Sequence, residues 1–189
     1  MLLRQNFAPF GSSSFVCKPI CLTAKYLRMG RNIYIGPNAR IQGIDKYNDV
    51  TFTPVIELSD GVTIQQNIHL TCANYVSVGA NTAIAANVTI TDIHHPYDDI
   101  EKPIESQDIV VGEVVIGPDC KLYNNVVILP NVHIGKHVTV GANSVVCSDL
   151  PSFCVAAGAP ARIIKRYDPV SGKWLRTSQE NSKINNKTK

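Results

Sequence analysis

The residues of this chain best suited to moving a proton near neutral pH are its histidines: His69, His94, His95, His133 and His137. His94 and His95 stand side by side in DIHHPYDD, just after Asp92 and directly before Pro96. A histidine held against an alcohol can take its proton, and a carboxylate nearby can orient the ring. His69 lies between Ile68 and Leu70, an alternation that turns it outward from an apolar interior. His133 and His137 fall in a regular stretch at turn or outward positions, where a surface role suffices. Cys17 and Cys21 have loose metal-like spacing, but no second Cys or His pair completes a site, so no metal is expected.

What must hold these groups in place is written in a six-residue beat. Val110, Ile116, Leu122, Ile128, Ile134, Val140 and Val146 stand six apart in unbroken register. Ile35 and Ile41 open the same beat, Leu58, Ile64 and Leu70 resume it, and Val78, Ile84 and Ile90 follow after a slip of two. Four residues after each comes a second small or apolar residue, as at Val62, Ile68, Val88, Val114, Cys120, Val126, Val132, Val138 and Ser144. Gly, Asn, Asp and Pro lie between, and these turn a chain sharply at little steric cost. No helix or simple strand has this period. Three short strands joined by such turns make a triangular coil of roughly 18 residues, and stacked coils make a parallel β-helix. Residues 44–57 and 92–109 break the register, the first as an insertion between coils and the second as a projecting loop.

The organisation expected is therefore all-β. Residues 1–32 lead into the first coil and 33–150 form the coils with the loop 92–109. Residues 151–176, with Pro151 and Pro160, cap the lower end, and 177–189 form a polar, disordered tail. Charged residues are 17% of the chain and aromatics 7%, which suits a regular aliphatic core. The net charge of +3 is too small to indicate nucleic acid. No secretory pattern and no run of roughly 18 apolar residues is present, so a cytoplasmic protein with reduced thiols and no transmembrane segment is expected.

The beat, the HPYDD loop, SVV followed by DLP, and AAGAPARIIKRYD together resemble the hexapeptide-repeat acyltransferases over about Ile33 to Trp174. More narrowly they resemble sugar O-acetyltransferases of the polysaccharide-biosynthesis type, related to galactoside and maltose acetyltransferases. The resemblance implies a left-handed parallel β-helix of hexapeptide repeats, a homotrimer, and active sites between neighbouring subunits. It implies acetyl-CoA as co-substrate, no permanently bound cofactor, and a sugar acceptor that is nucleotide-linked, lipid-linked or polymeric.

The family's catalytic histidine precedes a proline in the projecting loop, which assigns that role to His95, with His94 as the alternative; Asp92, three residues before His95, would orient or electrostatically tune the ring or else cap the turn. For coenzyme A, the resemblance carries over Asn124, Ala142, Cys147, Arg162 and Lys165. Gln65, Asn67, His69 and Tyr97 are the expected acceptor contacts. The chain departs from the family at Lys121, Leu122 and Tyr123, where Trp-Ile-Gly is usual, and at Asn131 and Asn143, where glycine is usual. It also has Gln65 and Ala73 where galactoside-type enzymes place an asparagine and an aspartate.

Two other outcomes fit the same framework. The base and groove would equally serve an amine, giving an N-acetyltransferase on an amino sugar. A groove altered at Tyr123 would leave a non-catalytic trimer. A zinc enzyme of the γ-carbonic-anhydrase kind would need two histidines five apart in one turn region, whereas His133 and His137 are four apart.

Overall fold

In the computed structural model, which describes residues 13–177, the six-residue beat closes into a three-sided prism. Each side is a parallel sheet whose rungs come from successive coils. The first face stacks Tyr34–Ile35, Thr63–Ile64, Ala83–Ile84, Lys121–Leu122 and Thr139–Val140. The second stacks Cys21–Leu22, Arg40–Gly43, His69–Cys72, Thr89–Thr91, Val127–Ile128 and Val145–Val146. The third stacks Leu27–Met29, Val55–Leu58, Tyr75–Val78, Glu113–Ile116 and Val132–Ile134. In every rung the beat residue points inward, and Ile35, Ile64, Leu70, Ile90, Leu122, Ile128 and Val140 are fully buried. Truncating such a side chain to alanine costs about 2–5 kcal/mol.

The three edges of the prism are not alike. Between the first and second faces each step is six residues: Ile35 to Ile41, Ile64 to Leu70, Ile84 to Ile90, Leu122 to Ile128 and Val140 to Val146. The corner residues there are Asn38, Asn67, Asn87, Asn125 and Asn143, all with φ between 58° and 61°. Asparagine enters this left-handed region more readily than other residues with a Cβ. Each amide then bonds the next, Asn38 to Asn67 to Asn87 to Asn125 to Asn143, at 2.8–3.2 Å. We call this the asparagine edge. The closing edge, from third face to first, also keeps six, as from Leu58 to Ile64, Val78 to Ile84 and Ile116 to Leu122.

The edge between second and third faces is the interrupted one. Ile41 is followed by Leu58, Leu70 by Val78, and Ile90 by Ile116. Spacings along the asparagine ladder record the result: 29, 20, 38 and 18 residues per coil. At the first irregularity an antiparallel hairpin, Lys46–Tyr47 with Val50–Thr51, leaves the prism. The next adds Ala73 and Asn74 as a small bulge. The third is an arm whose neck pairs Ile93–His94 with Val110–Val111.

Several expectations shift accordingly. The insertion expected over 44–57 ends earlier, because Val55–Leu58 is already a rung of the third face. Val110 keeps the beat in sequence but lies on the arm's neck, 55% exposed, so the core register begins at Ile116. The coils begin before residue 33: Phe15–Val16, Cys21–Leu22 and Leu27–Met29 form one rung on each face. Of the expected tail, 178–189 lies outside the described residues.

At the lower end Cys154–Ala157 adds a last parallel rung to the first face, and Arg162–Asp168 and Lys173–Arg176 fold back antiparallel upon it. The Ala161 N–H covers the second face at Val145, and Leu150 bridges Ile134 on the third. His137, Phe153, Tyr167 and Trp174 pack ring on ring beside this reversal. Among the described residues no helix is long and apolar enough to cross a membrane.

Candidate active site

The site is built at the interrupted edge. The bulge at Ala73–Asn74 takes backbone N–H groups out of the regular ladder, and buried donors need acceptors. Asp92, fully buried at the root of the arm, supplies them. Its carboxylate accepts from the N–H of Ala73 at 2.8 Å, Asn74 at 2.8 Å and Tyr75 at 2.9 Å. Its own carbonyl accepts the Gly112 N–H at 2.7 Å, which closes the neck of the arm. Burial raises the Asp92 pKa above the ordinary value, against the downward pull of these bonds. These bonds match the turn-capping alternative for Asp92, and they fix where the arm starts.

Beyond the neck, His95 turns over the second face. It lines a cavity of about 360 Å³ whose floor is the outward-facing row His69, Thr71, Thr89 and Thr91. Ile44, Ile93, Ile109 and Tyr47 form its walls. The floor follows from strand alternation: Leu70 and Ile90 point in, so the residues flanking them point out. The Thr71 hydroxyl donates to that of Thr91 at 2.9 Å, and the Thr91 hydroxyl oxygen accepts the Ile93 N–H at 3.2 Å. Burial, with the Arg40 charge adding to it, lowers the His69 pKa below the ordinary value. Among the described residues, His95 Nδ1 is the buried side-chain polar atom left without a hydrogen-bond partner. A ring whose second nitrogen finds no acceptor has its tautomer unset by the chain itself.

The expected acceptor residues separate. His69 lines the cavity with His95. Tyr97 is exposed and packs edge-on to His94, 5.8 Å between ring centres. Asn67 has its amide engaged on both sides in the asparagine ladder, and Gln65 stands exposed on that same edge.

The expected coenzyme residues frame the second face. Asn124 and Ala142 occupy the same corner position one coil apart on the asparagine edge, where the Asn143 N–H donates to the Asn124 carbonyl. Cys147 is exposed just past Val146, on the opposite margin of that face. Arg162 and Lys165 lie on the reversing strand of the cap. At the departures from the family pattern, the Lys121 ammonium sits over the Tyr123 ring, 5.5 Å from its centre. Asn131 and Asn143 have φ of 61° and 58°, the left-handed geometry that glycine also serves.

His133 belongs elsewhere, on the third face, with Nε2 2.8 Å from the Glu113 carboxylate. Among the described residues no group of three His, Cys, Asp or Glu is placed to hold a metal ion. The threonine row and Tyr47 are site residues that the sequence reading did not name. Alternation around Leu70 and Ile90 marks the threonines; nothing in sequence marks Tyr47.

The comparisons with known proteins agree with this fold. The family model "Bacterial transferase hexapeptide (six repeats)" matches residues 113–148, the uninterrupted run of coils. The putative lipopolysaccharide biosynthesis O-acetyl transferase WbbJ of Escherichia coli K12 is 35% identical over 156 residues, covering 79% of each chain. The galactoside O-acetyltransferase of the same organism is 30% identical over 168 residues, covering 88% of this chain and 68% of that one. The structure of galactoside acetyltransferase in complex with coenzyme A superposes with a TM-score of 0.51 at 28% identity, over 87% of this chain and 68% of that chain. The Vibrio cholerae acetyltransferase VCA0836, complexed with acetyl coenzyme A, shares the fold with a TM-score of 0.55 at 21% identity, over 83% and 71%. The chain belongs to the hexapeptide-repeat acetyltransferase family, and its prism is the left-handed parallel β-helix of that family.

Proposed function

We propose that this protein transfers the acetyl group of acetyl-CoA to a hydroxyl of a sugar unit in surface-polysaccharide biosynthesis, with His95 as general base. The observation that carries the reading is the position of His95. It is held by the arm over a cavity floored by hydroxyls and His69, on the face framed by Asn124, Ala142 and Cys147. In the reaction the acceptor oxygen attacks the thioester carbonyl while His95 takes its proton. The tetrahedral adduct collapses, the carbon–sulfur bond breaks, and the departing CoA sulfur receives the proton from His95. No acetyl-enzyme is required. His95, His69 and the threonine row face the acceptor. Asn124, Ala142 and Cys147 follow the pantetheine arm, and Arg162 and Lys165 meet the phosphates, for which paired cations are apt. Gln65, Asn67 and Tyr97 are exposed and meet the acceptor from a neighbouring subunit of a homotrimer. A cytoplasmic location goes with this role.

Support for the sugar class comes from the two relatives named above for lipopolysaccharide and galactoside O-acetylation. The 2,3,4,5-tetrahydropyridine-2,6-dicarboxylate N-acetyltransferase of Brevibacillus brevis, 38% identical over 43% of the chain, favours a second reading in which the acceptor is an amine. One experiment tests both. Purified protein and acetyl-CoA are screened against paired hydroxy- and amino-sugars by CoA release. Transfer to hydroxyls that falls about 10²–10⁴-fold in His95→Ala is the expected result. Transfer confined to amino-sugars selects the second reading, and full activity in His95→Ala overturns the site.

A further inference from the structure

His95 is oriented by contact rather than by a hydrogen bond of its own, since its buried Nδ1 has no partner. The contact is Tyr47. The two rings meet edge to face, 5.4 Å between centres and 76° between planes. Tyr47 comes from the hairpin Lys46–Thr51, which leaves the interrupted edge in an earlier coil than the arm does. It is itself held at its far end. The hydroxyl lies 2.8 Å from the Glu105 carbonyl oxygen and 3.0 Å from the Glu105 carboxylate, so it donates to this pair of acceptors. From the next residue, Asn48 Nδ2 donates to the Asp108 carboxylate at 3.3 Å. Glu105 and Asp108 belong to the returning half of the arm, and His95 to the outgoing half. The hairpin therefore touches both halves: the Tyr47 ring meets the His95 ring, and its hydroxyl meets Glu105 in the short turn Ile104–Ser106 on the way back.

We propose that Tyr47 is a positioning residue for His95, and that the hairpin and the arm are one catalytic device although 58 residues separate Tyr47 from Glu105. This rests on the reading of His95 as base. The physical need is plain. The neck pairs only two residues on each side, and a ring just beyond it keeps rotamer freedom unless something fills the space beside it. A misplaced base loses rate steeply, about 10²-fold for a displacement on the order of 1 Å. The Tyr47 ring fills that space, and its tethered hydroxyl keeps the ring from swinging out. Burial and the Glu105 carboxylate both raise the Tyr47 pKa, which keeps the hydroxyl a donor.

The test uses the full chain and two readouts. In the first, the ring signals of His95 are followed by NMR without any substrate, identified by their loss in His95→Ala. They should move and broaden in Tyr47→Ala and stay close to wild type in Tyr47→Phe, which keeps the ring. Unchanged His95 signals in Tyr47→Ala overturn the proposal. The second is steady-state acetyl transfer to whichever acceptor shows His95-dependent CoA release. Tyr47→Ala should lower kcat about 100-fold with the KM for acetyl-CoA within about twofold, and Tyr47→Phe should lower kcat by up to about tenfold. In a His95→Ala background, Tyr47→Ala should add no further loss; a full additional loss means Tyr47 acts without His95 and also overturns the proposal. Should Tyr47→Ala fail to fold, Tyr47→Leu, which removes the aromatic contact but keeps most of the bulk, replaces it in both readouts, and His95 signals unchanged in Tyr47→Leu overturn the proposal in the same way. The failures are separable. A fully active His95→Ala removes the functional reading, whereas an inactive His95→Ala beside an unaltered Tyr47→Ala removes only the role of Tyr47.

Discussion

Two edges of the same prism are built from the same coils and do opposite things. Along the asparagine edge the five turns from Asn38 to Asn143 have the same length and the same left-handed corner, and their amides are bonded in succession. Along the interrupted edge one run of the chain adds a hairpin, another a bulge and a third a long arm, and the cavity with its histidines lies there. Regularity on one side is what permits irregularity on the other. A coil is closed by its rungs, which pair with the rungs above and below, so a segment that leaves and returns at one corner does not disturb the stack.

The comparison can be broken most severely at Asp92. Asp92→Ala leaves three N–H groups of the bulge without their acceptor, each costing about 1–3 kcal/mol when buried. We expect a loss of about 3–5 kcal/mol in denaturant unfolding, with the arm displaced as well. A loss below 1 kcal/mol would show that the bulge can satisfy itself. The pH dependence is a finer test at the same residue. Because burial raises the Asp92 pKa in the folded state, the fold holds this proton more tightly than the unfolded chain does. Its contribution to stability is therefore largest at low pH and declines as pH rises through the ordinary carboxylate range up to the raised folded value. The carboxylates with lowered values act the other way, so the unfolding free energy at pH 7 minus that at pH 3 should be larger in Asp92→Asn than in the wild type; an unchanged value would show that folding does not alter the titration of Asp92.

On the asparagine edge the expected effects are smaller. Asn125→Ala forces a Cβ without the helpful amide into φ 61° and removes two rungs of the ladder, for about 1–2 kcal/mol. Asn125→Gly keeps the backbone geometry and should lose about 1 kcal/mol or less. If the two variants unfold at the same denaturant concentration, the corner is held by side-chain bonding alone rather than by its φ.

How much of this was legible in the sequence follows the same division. The six-residue beat reports inward residues, and it read the core correctly from Ile116 to Val146 because nothing interrupts that stretch. It failed at Val110, where the spacing continues although the chain has left the prism. Local sequence offers Asp92 either as a histidine partner or as a turn cap, because it shows only that the residues are close. That its carboxylate reaches back to Ala73 and Tyr75 is a contact between coils. The place of Asn67 in the amide ladder was hidden for a related reason, since the ladder is visible only once coils of unequal length are set in register. Tyr47 carried no signal at all, because its partners Glu105 and His95 are brought to it by two segments that the beat treats as gaps.

The reversal at the lower end has a consequence for how copies of this chain meet. A parallel β-helix that simply stopped would present three rows of unpaired backbone groups, a template for adding another chain end to end. Here Arg162–Asp168 turns the first face antiparallel, Ala161 covers the second and Leu150 the third. The outermost strand carries Lys173 and Arg176, whose like charges disfavour a matching strand alongside. The lower end of the prism is thereby closed to end-to-end addition of a second chain's strands.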